Sequence, residues 1–519
     1  MEGDFKFGAD VKGAFGLAIG LTVVAALVDD GTLGLLVGLI VFVLAIYCMF
    51  RVPLRYTLFT LTFLVLSLPN RGEGQPTKWP PPFTMVGAVL FNHLNTIDRS
   101  LPVIGSIPLS GLDLTVLALV LVNALRRSSG SKLDSAGRIA TPKPLVQLAQ
   151  LAIAAGLFTW FSGLVRGGDF GMSLWQVGGV IYLPAIFLLW HVALRGPRDH
   201  SILLRILLAA AVYKCLLATY VVHTIVMPAD EFTGSTKPAY GTSHSDSMLF
   251  ALAFVVILAA FVEGAPKRMK WFGALLLPIL FIGTHSNNRR LAWVQVALVF
   301  ITVYLVSRET PLKRKFRRFL LLLVPVIAIY LMAGWDSQYG SLFKPARIMR
   351  SVVDAKSDGS SRWREWENVN LIATFRHNAI FGSGFGHPFE EVIVLPTVEH
   401  PLERYAPHNS LLGVWSFGGL VGYAGLTLLW MGGVFFAMRS YYRSPDREHR
   451  IAALVSFAAV LIYMLQAWGD LGLGTPTGIF LVAPALAAAG KLATANGEWK
   501  ANGKQADSRD RRASTAQSA

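Results

Sequence analysis

Pro407-His408-Asn409-Ser410-Leu411-Leu412-Gly413-Val414-Trp415-Ser416-Phe417-Gly418-Gly419 marks a sharp change in the chain. On its N-terminal side lies one long polar stretch, from about Asp336 to Pro407. On its C-terminal side an apolar run continues to about residue 437. A run of that length matches the roughly 20 residues that a helix needs to cross a bilayer. Thirteen more runs read the same way, at about 13–28, 32–50, 54–69, 107–125, 144–165, 174–194, 202–225, 248–264, 271–285, 291–306, 319–335, 451–468 and 476–490. Hydrocarbon offers a backbone no hydrogen-bond partner, so such runs must be helices or closed barrels, and their length and lack of alternation select helices. The expectation is an all-α polytopic membrane protein with about 14 transmembrane helices (12–14). Its single long loop, 336–407, holds short helices of its own.

Composition agrees. The 519 residues are 53% hydrophobic and 15% charged, with mean hydropathy +0.50, against about 25% charged residues in soluble domains. Cys48 and Cys215 both fall inside apolar runs, which argues against a disulfide framework. The formal charge of +16 is accounted for by cytoplasmic loops rather than nucleic acid. With the N-terminus placed in the cytoplasm, most of the 47 Lys and Arg fall on the inside segments. The long loop then lies outside and both termini inside. The first apolar run reads as a retained span, because no small-residue cleavage site stands out. The chain divides into N-terminal spans (1–270), a second membrane region that includes the loop (271–490), and a basic cytoplasmic tail (491–519) that reads as disordered.

Long loops in compact chains commonly carry function. Within this one, Ser360-Ser361-Arg362-Trp363-Arg364-Glu365-Trp366 reads as a capped helix with Trp363, Trp366, Ile372 and Ala373 along one side. It is either an interfacial helix or the carrier of a site. Phe381-Gly382-Ser383-Gly384-Phe385-Gly386 is either a flexible turn or a cradle of exposed amides for phosphate. His408 stands at a membrane mouth, where an imidazole can accept a proton near neutral pH. Asn409 either positions it or caps the following helix. A second outside turn, Thr284-His285-Ser286-Asn287-Asn288-Arg289-Arg290, places two arginines against the rule that keeps positive charge inside. An arginine fork suits phosphate oxygens. Lys214, mid-span, calls for a buried carboxylate partner or a water-filled cavity. Asp470 and the His244/Asp246 pair are weaker candidates, explicable as ordinary loop polarity.

Taken together, these outside motifs resemble the O-antigen ligase/polymerase superfamily of bacterial envelope glycosyltransferases. Asn288-Arg289-Arg290-Leu291-Ala292-Trp293 is similar to that family's Ser-Arg turn, with Asn for Ser and either arginine as the equivalent. Arg362 with Trp366 resembles the loop's Arg and downstream Trp. Asn378 to Gly386 resembles its Asn-Pro-x-x-Gly-x-Gly element, with Ala379 where Pro is usual, and His408-Asn409-Ser410-Leu411-Leu412 matches His-Asn-x-x-Leu. The resemblance covers roughly 270–440. It implies a GT-C-like architecture in the bacterial inner membrane and a donor glycan on a polyprenyl (undecaprenyl) diphosphate. The acceptor would be a glycan or lipid core, and polysaccharide-assembly proteins are allowed as partners. It also implies site roles: Arg290 (or Arg289) and Arg362 on the diphosphate, His408 as base, and Asn409, Arg376 and Arg404 in substrate contact. No Asp-x-Asp pair occurs in the outside segments, which fits a reaction without metal or cofactor. Attack opposite the diphosphate would invert the anomeric centre. The rival class is a polysaccharide or lipid-linked-sugar transporter (flippase), which should gather charge in a central cavity. A structural or assembly subunit is a third class, in which the arginines and His408 would be replaceable.

Overall fold

The computed structural model describes residues 8–28, 31–69, 87, 90–91, 109–131, 133–134, 139–227, 241–337, 343, 346, 349–350, 359–396 and 404–495. The tail beyond residue 495 and parts of the long loop lie outside the described residues. Every apolar run named from the sequence coincides with a helix. In chain order these are α1 (Ala9–Val28), α2 (Gly31–Arg51), α3 (Leu54–Ser67), α4 (Gly111–Ser128), α5 (Lys143–Val165), α6 (Phe170–Ala193) and α7 (Pro197–Val221). They continue with α8 (Asp246–Val262), α9 (Lys267–Asn287), α10 (Arg290–Val306) and α11 (Pro311–Gly334). The loop contributes α12 (Gly359–His377), followed by α13 (Ser410–Arg443), α14 (Arg447–Gly469) and α15 (Pro476–Ala495). The described residues form no strand, and the molecule is an all-helical polytopic membrane protein. Among the described residues, eight helices are long and apolar enough to cross a membrane, with four shorter apolar helices besides. Pro278 does not end α9, which runs through it. The division drawn at 270/271 falls inside that helix.

The bundle is built around α14, of whose apolar window 78% is buried, and α15, with 89%. α13 packs on α5, α14 and α12, while α8 packs on α7, α9, α10 and α14. α11 is the opposite case: none of its apolar window is buried, and residues such as Leu322 and Met332 are exposed. Lipid takes the place of protein there, which an all-round apolar helix tolerates in a bilayer.

One break in the bundle positions the site. α13 departs from helical geometry at Gly419, with φ 57°, a value in the region that favours glycine. The break frees backbone groups that the loop then takes up. Leu420 N donates to Ala379 O (2.9 Å), Val421 N to Ile380 O (3.1 Å) and Gly384 N to Phe417 O (2.8 Å). Gly384 has φ 90° and lies so close to Gly163 that a Cβ on it would sit 2.3 Å from Gly163 Cα. The glycine element is therefore a backbone plug between α5 and α13, not a flexible turn. Nor are its amides exposed for phosphate: Ser383 N donates to Ser416 O (3.1 Å), and Gly386 N to Gln176 Oε1 (2.5 Å).

Candidate functional site

The site forms at the end of the bundle that carries the long loop. Its floor is α12, whose inward face is polar: Glu367 and Asn370 are fully buried and Thr374 is 4% exposed. Buried polar groups need partners, and here the returning loop provides them. Asn370 exchanges two 2.8 Å hydrogen bonds with the backbone of Ile393, and Thr374 Oγ1 accepts from Glu390 N (2.8 Å). Glu367 accepts from His408 N (3.0 Å) and lies 3.3 Å from His408 Nδ1. The edge of the His408 ring meets Trp363, with centroids 4.8 Å apart. A carboxylate on Nδ1 fixes the tautomer and leaves Nε2 as the acceptor. His408 remains 34% exposed in its side chain while Glu367 has no exposure, so the imidazole faces out and the carboxylate is sealed beneath it.

Asn409 caps α13, accepting from Leu412 N (3.1 Å) and donating to Asn368 Oδ1 (3.0 Å). Its amide thus ties the two helices that hold His408. Arg404 is exposed, and its Nη2 donates to Phe389 O (2.9 Å), which closes the loop on itself. Arg376 is exposed at the far end of α12.

The arginine turn comes next. Asn288 takes a left-handed conformation (φ 52°) and ends α9. Asn tolerates this region better than most residues, so Asn where the family has Ser suits the turn. Arg289 is extended and half-buried, and Arg290, the first residue of α10, is exposed. Buried Asn287 accepts from Thr242 Oγ1 (3.1 Å) and donates to Ser247 Oγ (3.4 Å), which clamps the 241–247 segment to this turn. On the other side, a Cβ at Gly469 would meet Leu291 at 3.2 Å, so the end of α14 sits against the start of α10.

Asp470, which follows that end, links the pieces. Its Oδ2 lies 2.5 Å from His244 Nδ1. Burial alone would raise its carboxyl pKa. The hydrogen bond from His244 and the positive charges of His244, Arg364 and His408 outweigh burial and hold it down at about 2. Those charges show that residues from the 241–247 segment, α12, the start of α13 and the end of α14 share one neighbourhood. Arg364, half-buried, has an Nε without hydrogen-bond partner among the described residues, whereas Arg362, two residues earlier, is exposed. Sequence reasoning singled out Arg362, passed over Arg364 and Glu367, and rated His244 and Asp470 as loop polarity. The available signal was helical spacing: Glu367 stands three and four residues from Arg364 and Trp363, on the face that reaches His408.

Lys214 finds its partner in Asp246, at 3.2 Å, both side chains 1% exposed. Glu263 pairs with Arg450 at 2.6 Å, and Arg205 is exposed.

A family model described as O-antigen ligase matches residues 275–427, which hold the arginine turn, Arg362, Arg364, Glu367 and His408. The match supports the resemblance of this region to the O-antigen ligase/polymerase superfamily. An O-antigen ligase of Salmonella typhimurium is 22% identical over 213 residues, covering 40% of this chain and 50% of that protein. The chain thus spans about half the length of the curated relative it matches. His244 and Asp470 reach the ligase-like region from outside the matched stretch.

Proposed function

We propose that this protein is a membrane glycosyltransferase. It transfers a glycan from a polyprenyl-diphosphate lipid to an acceptor sugar hydroxyl at the outer face of the bacterial inner membrane, as a ligase or polymerase of envelope polysaccharide. The observation that carries this reading is the Glu367–His408 pair, at 3.3 Å, in one neighbourhood with Arg364 and Asp470. His408 Nε2 takes the acceptor hydroxyl proton. The hydroxyl oxygen attacks the anomeric carbon, and the bond to the diphosphate oxygen breaks with its electron pair leaving on the diphosphate. Attack from the opposite side inverts the centre. Arginines stabilise the charge that grows on the leaving group. Arg289 and Arg364 supply them from the half-buried layer, and Arg290 and Arg362 from the rim. Diphosphate is already a good leaving group, so the residues named suffice without a metal. Of the intramembrane charges, Lys214 is matched by Asp246 and Glu263 by Arg450. That supports an enzyme acting at one face over a transporter with a charged central path.

A deletion strain complemented with His408→Ala, Arg362→Ala and the double Arg289→Ala/Arg290→Ala tests this, with surface polysaccharide resolved by size. His408→Ala lowers transfer by about 100-fold or more, the usual scale of general-base loss. Wild-type polysaccharide from well-expressed His408→Ala protein would remove His408 from the mechanism.

A further inference from the structure

The end of the bundle away from the loop carries a dense run of positive charge. Between Arg308 and Arg318 stand six basic residues and one acidic, Glu309, which pairs with Arg317 at 3.4 Å. Lys313 Nζ donates to Ser307 O (2.6 Å) and lies 5.0 Å from the centre of the Tyr304 ring. Arg314, Lys315 and Arg318 are exposed and form no ion pair among the described residues. They open α11, the helix whose apolar window is buried nowhere by protein. We propose that this cationic collar binds the headgroup of an anionic phospholipid in the leaflet opposite the loop. The bound lipid steadies the helix that leads into the loop. The lipid site lies away from the transfer chemistry and does not depend on it.

Three observations support this site. The first is the sign of the charge. Basic clusters beside a membrane span attract anionic headgroups, and an arginine fork fits phosphate oxygens. Cations at the start of a helix oppose its dipole, so the cluster costs α11 stability and does not serve the helix itself. The second is the level of the collar in the bilayer. Exposed aromatic rings lie within and just beyond it: Phe316 (46% exposed) and Phe319 (55%), with centroids 6.4 Å apart. The same order recurs on α9, where Lys267, Arg268 and Lys270 precede Trp271, 76% exposed. Basic residues next to outward-facing rings mark the headgroup layer. The third is the way α11 is held. At its near end Phe316 meets Tyr304 (centroids 5.8 Å apart), and Arg308 Nη2 donates to Tyr441 O (3.2 Å) at the end of α13. At its far end Tyr330 meets Phe343 (5.6 Å), and Arg350 donates to Trp335 O (3.1 Å) and pairs with Asp336 (3.2 Å). Between those ends its neighbour is lipid, so a headgroup fixed at the collar sets the depth of the helix and, through it, of the residues at the start of the loop.

The test uses the full-length protein purified in mild detergent. The probe is an equal mixture of phosphatidylglycerol and phosphatidylcholine with matched chains, and native mass spectrometry counts the lipids retained. Wild type should retain phosphatidylglycerol in preference. The triple Arg314→Gln/Lys315→Gln/Arg318→Gln should lose that preference by about tenfold or more, at an unchanged thermal midpoint in detergent. Arg314→Lys/Arg318→Lys, which keeps the charge, should retain most of it. A control triple at the same end of the bundle, Arg127→Gln/Lys143→Gln/Arg447→Gln, should keep the wild-type preference. In nanodiscs, phosphatidylglycerol should slow hydrogen exchange in the last turns of α11 for wild type and not for the α11 triple. If wild type shows no preference, or the α11 triple keeps it, the collar serves only membrane orientation and the lipid site falls. If the control triple loses as much as the α11 triple, the charge of that face acts diffusely and the site falls as well. If binding follows expectation and exchange does not change, the steadying role falls while the lipid site stands. The glycan-transfer reading is untouched by each of these results.

Discussion

Both ends of this helical bundle carry charge, but they use it differently. At the end opposite the loop, Glu263 is gripped by Arg450 Nε (2.6 Å) and Tyr441 OH (2.7 Å), with side-chain exposures of 4% for Glu263 and 15% for Arg450. Tyr441 in turn accepts from Arg308 N (2.9 Å). Asp199 likewise takes Arg55 (3.4 Å) and Arg195 N (2.7 Å). Each of these two carboxylates closes a tie between segments distant in sequence. At the loop end, carboxylates are buried, but the nitrogen-bearing side chains around them are left half-exposed: His408, His244 and Arg364. A structural tie sequesters both partners, whereas a binding site hides the orienting group and presents the other. Charge content alone does not separate the two ends; exposure of the cationic partner does.

The comparison is broken most directly by removing one arginine from each end. Arg364→Ala should lower glycan transfer by about 100-fold, the scale of a lost transition-state charge contact. Arg450→Ala should lower the thermal midpoint and leave transfer per folded molecule near wild type. Equal transfer loss in the two variants would mean that the loop end is no more special than the other. Arg362→Ala sharpens the same point, since an exposed rim arginine should cost less than Arg364.

Lys214→Met tests how far the site depends on what lies beneath it. It leaves Asp246 buried and charged without its partner, which costs about 3–5 kcal/mol for a buried pair. A large drop in the thermal midpoint is expected, and the double Lys214→Met/Asp246→Leu should recover most of it. A single variant as stable as wild type would show that the pair is dispensable.

The smallest effect concerns acid. Asp470 has its folded carboxyl pKa near 2, below the ordinary 3.8. Its tie to His244 therefore contributes stability above about pH 4 and loses it as pH falls toward 2. Asp470→Asn should lower the thermal midpoint modestly in the neutral range and flatten that acid limb of the profile, so that variant and wild type converge toward pH 2.

How much of this could be read from the chain differs by element. His408 at the mouth of α13 was legible, because the polar-to-apolar switch after Asn409 fixes where a span begins and what stands at its entrance. The turn at Arg289 and Arg290 was legible because two cations between spans break a strong charge rule. The loop helix was legible as a helix, but its inward face was not. The spacing of Trp363, Trp366 and Ile372 suggested an apolar side, whereas the fully buried positions include Glu367 and Asn370. Their burial is made acceptable by the backbone of Ile393 and of His408, which stand 23 and 41 residues along the chain.

The sequence by itself determined the helices, their membrane-spanning character and the register of the motifs at their ends. Hydrocarbon imposes local rules, and every span must satisfy its own backbone. Only the tertiary structure decided which charges work together. It paired Lys214 with Asp246, seated His408 on Glu367 and His244 on Asp470, and brought Arg364 into the electrostatic neighbourhood of Asp470. Those pairings depend on how helices distant in sequence pack, and a carboxylate becomes an orienting group only when packing hides it from water beside a particular imidazole.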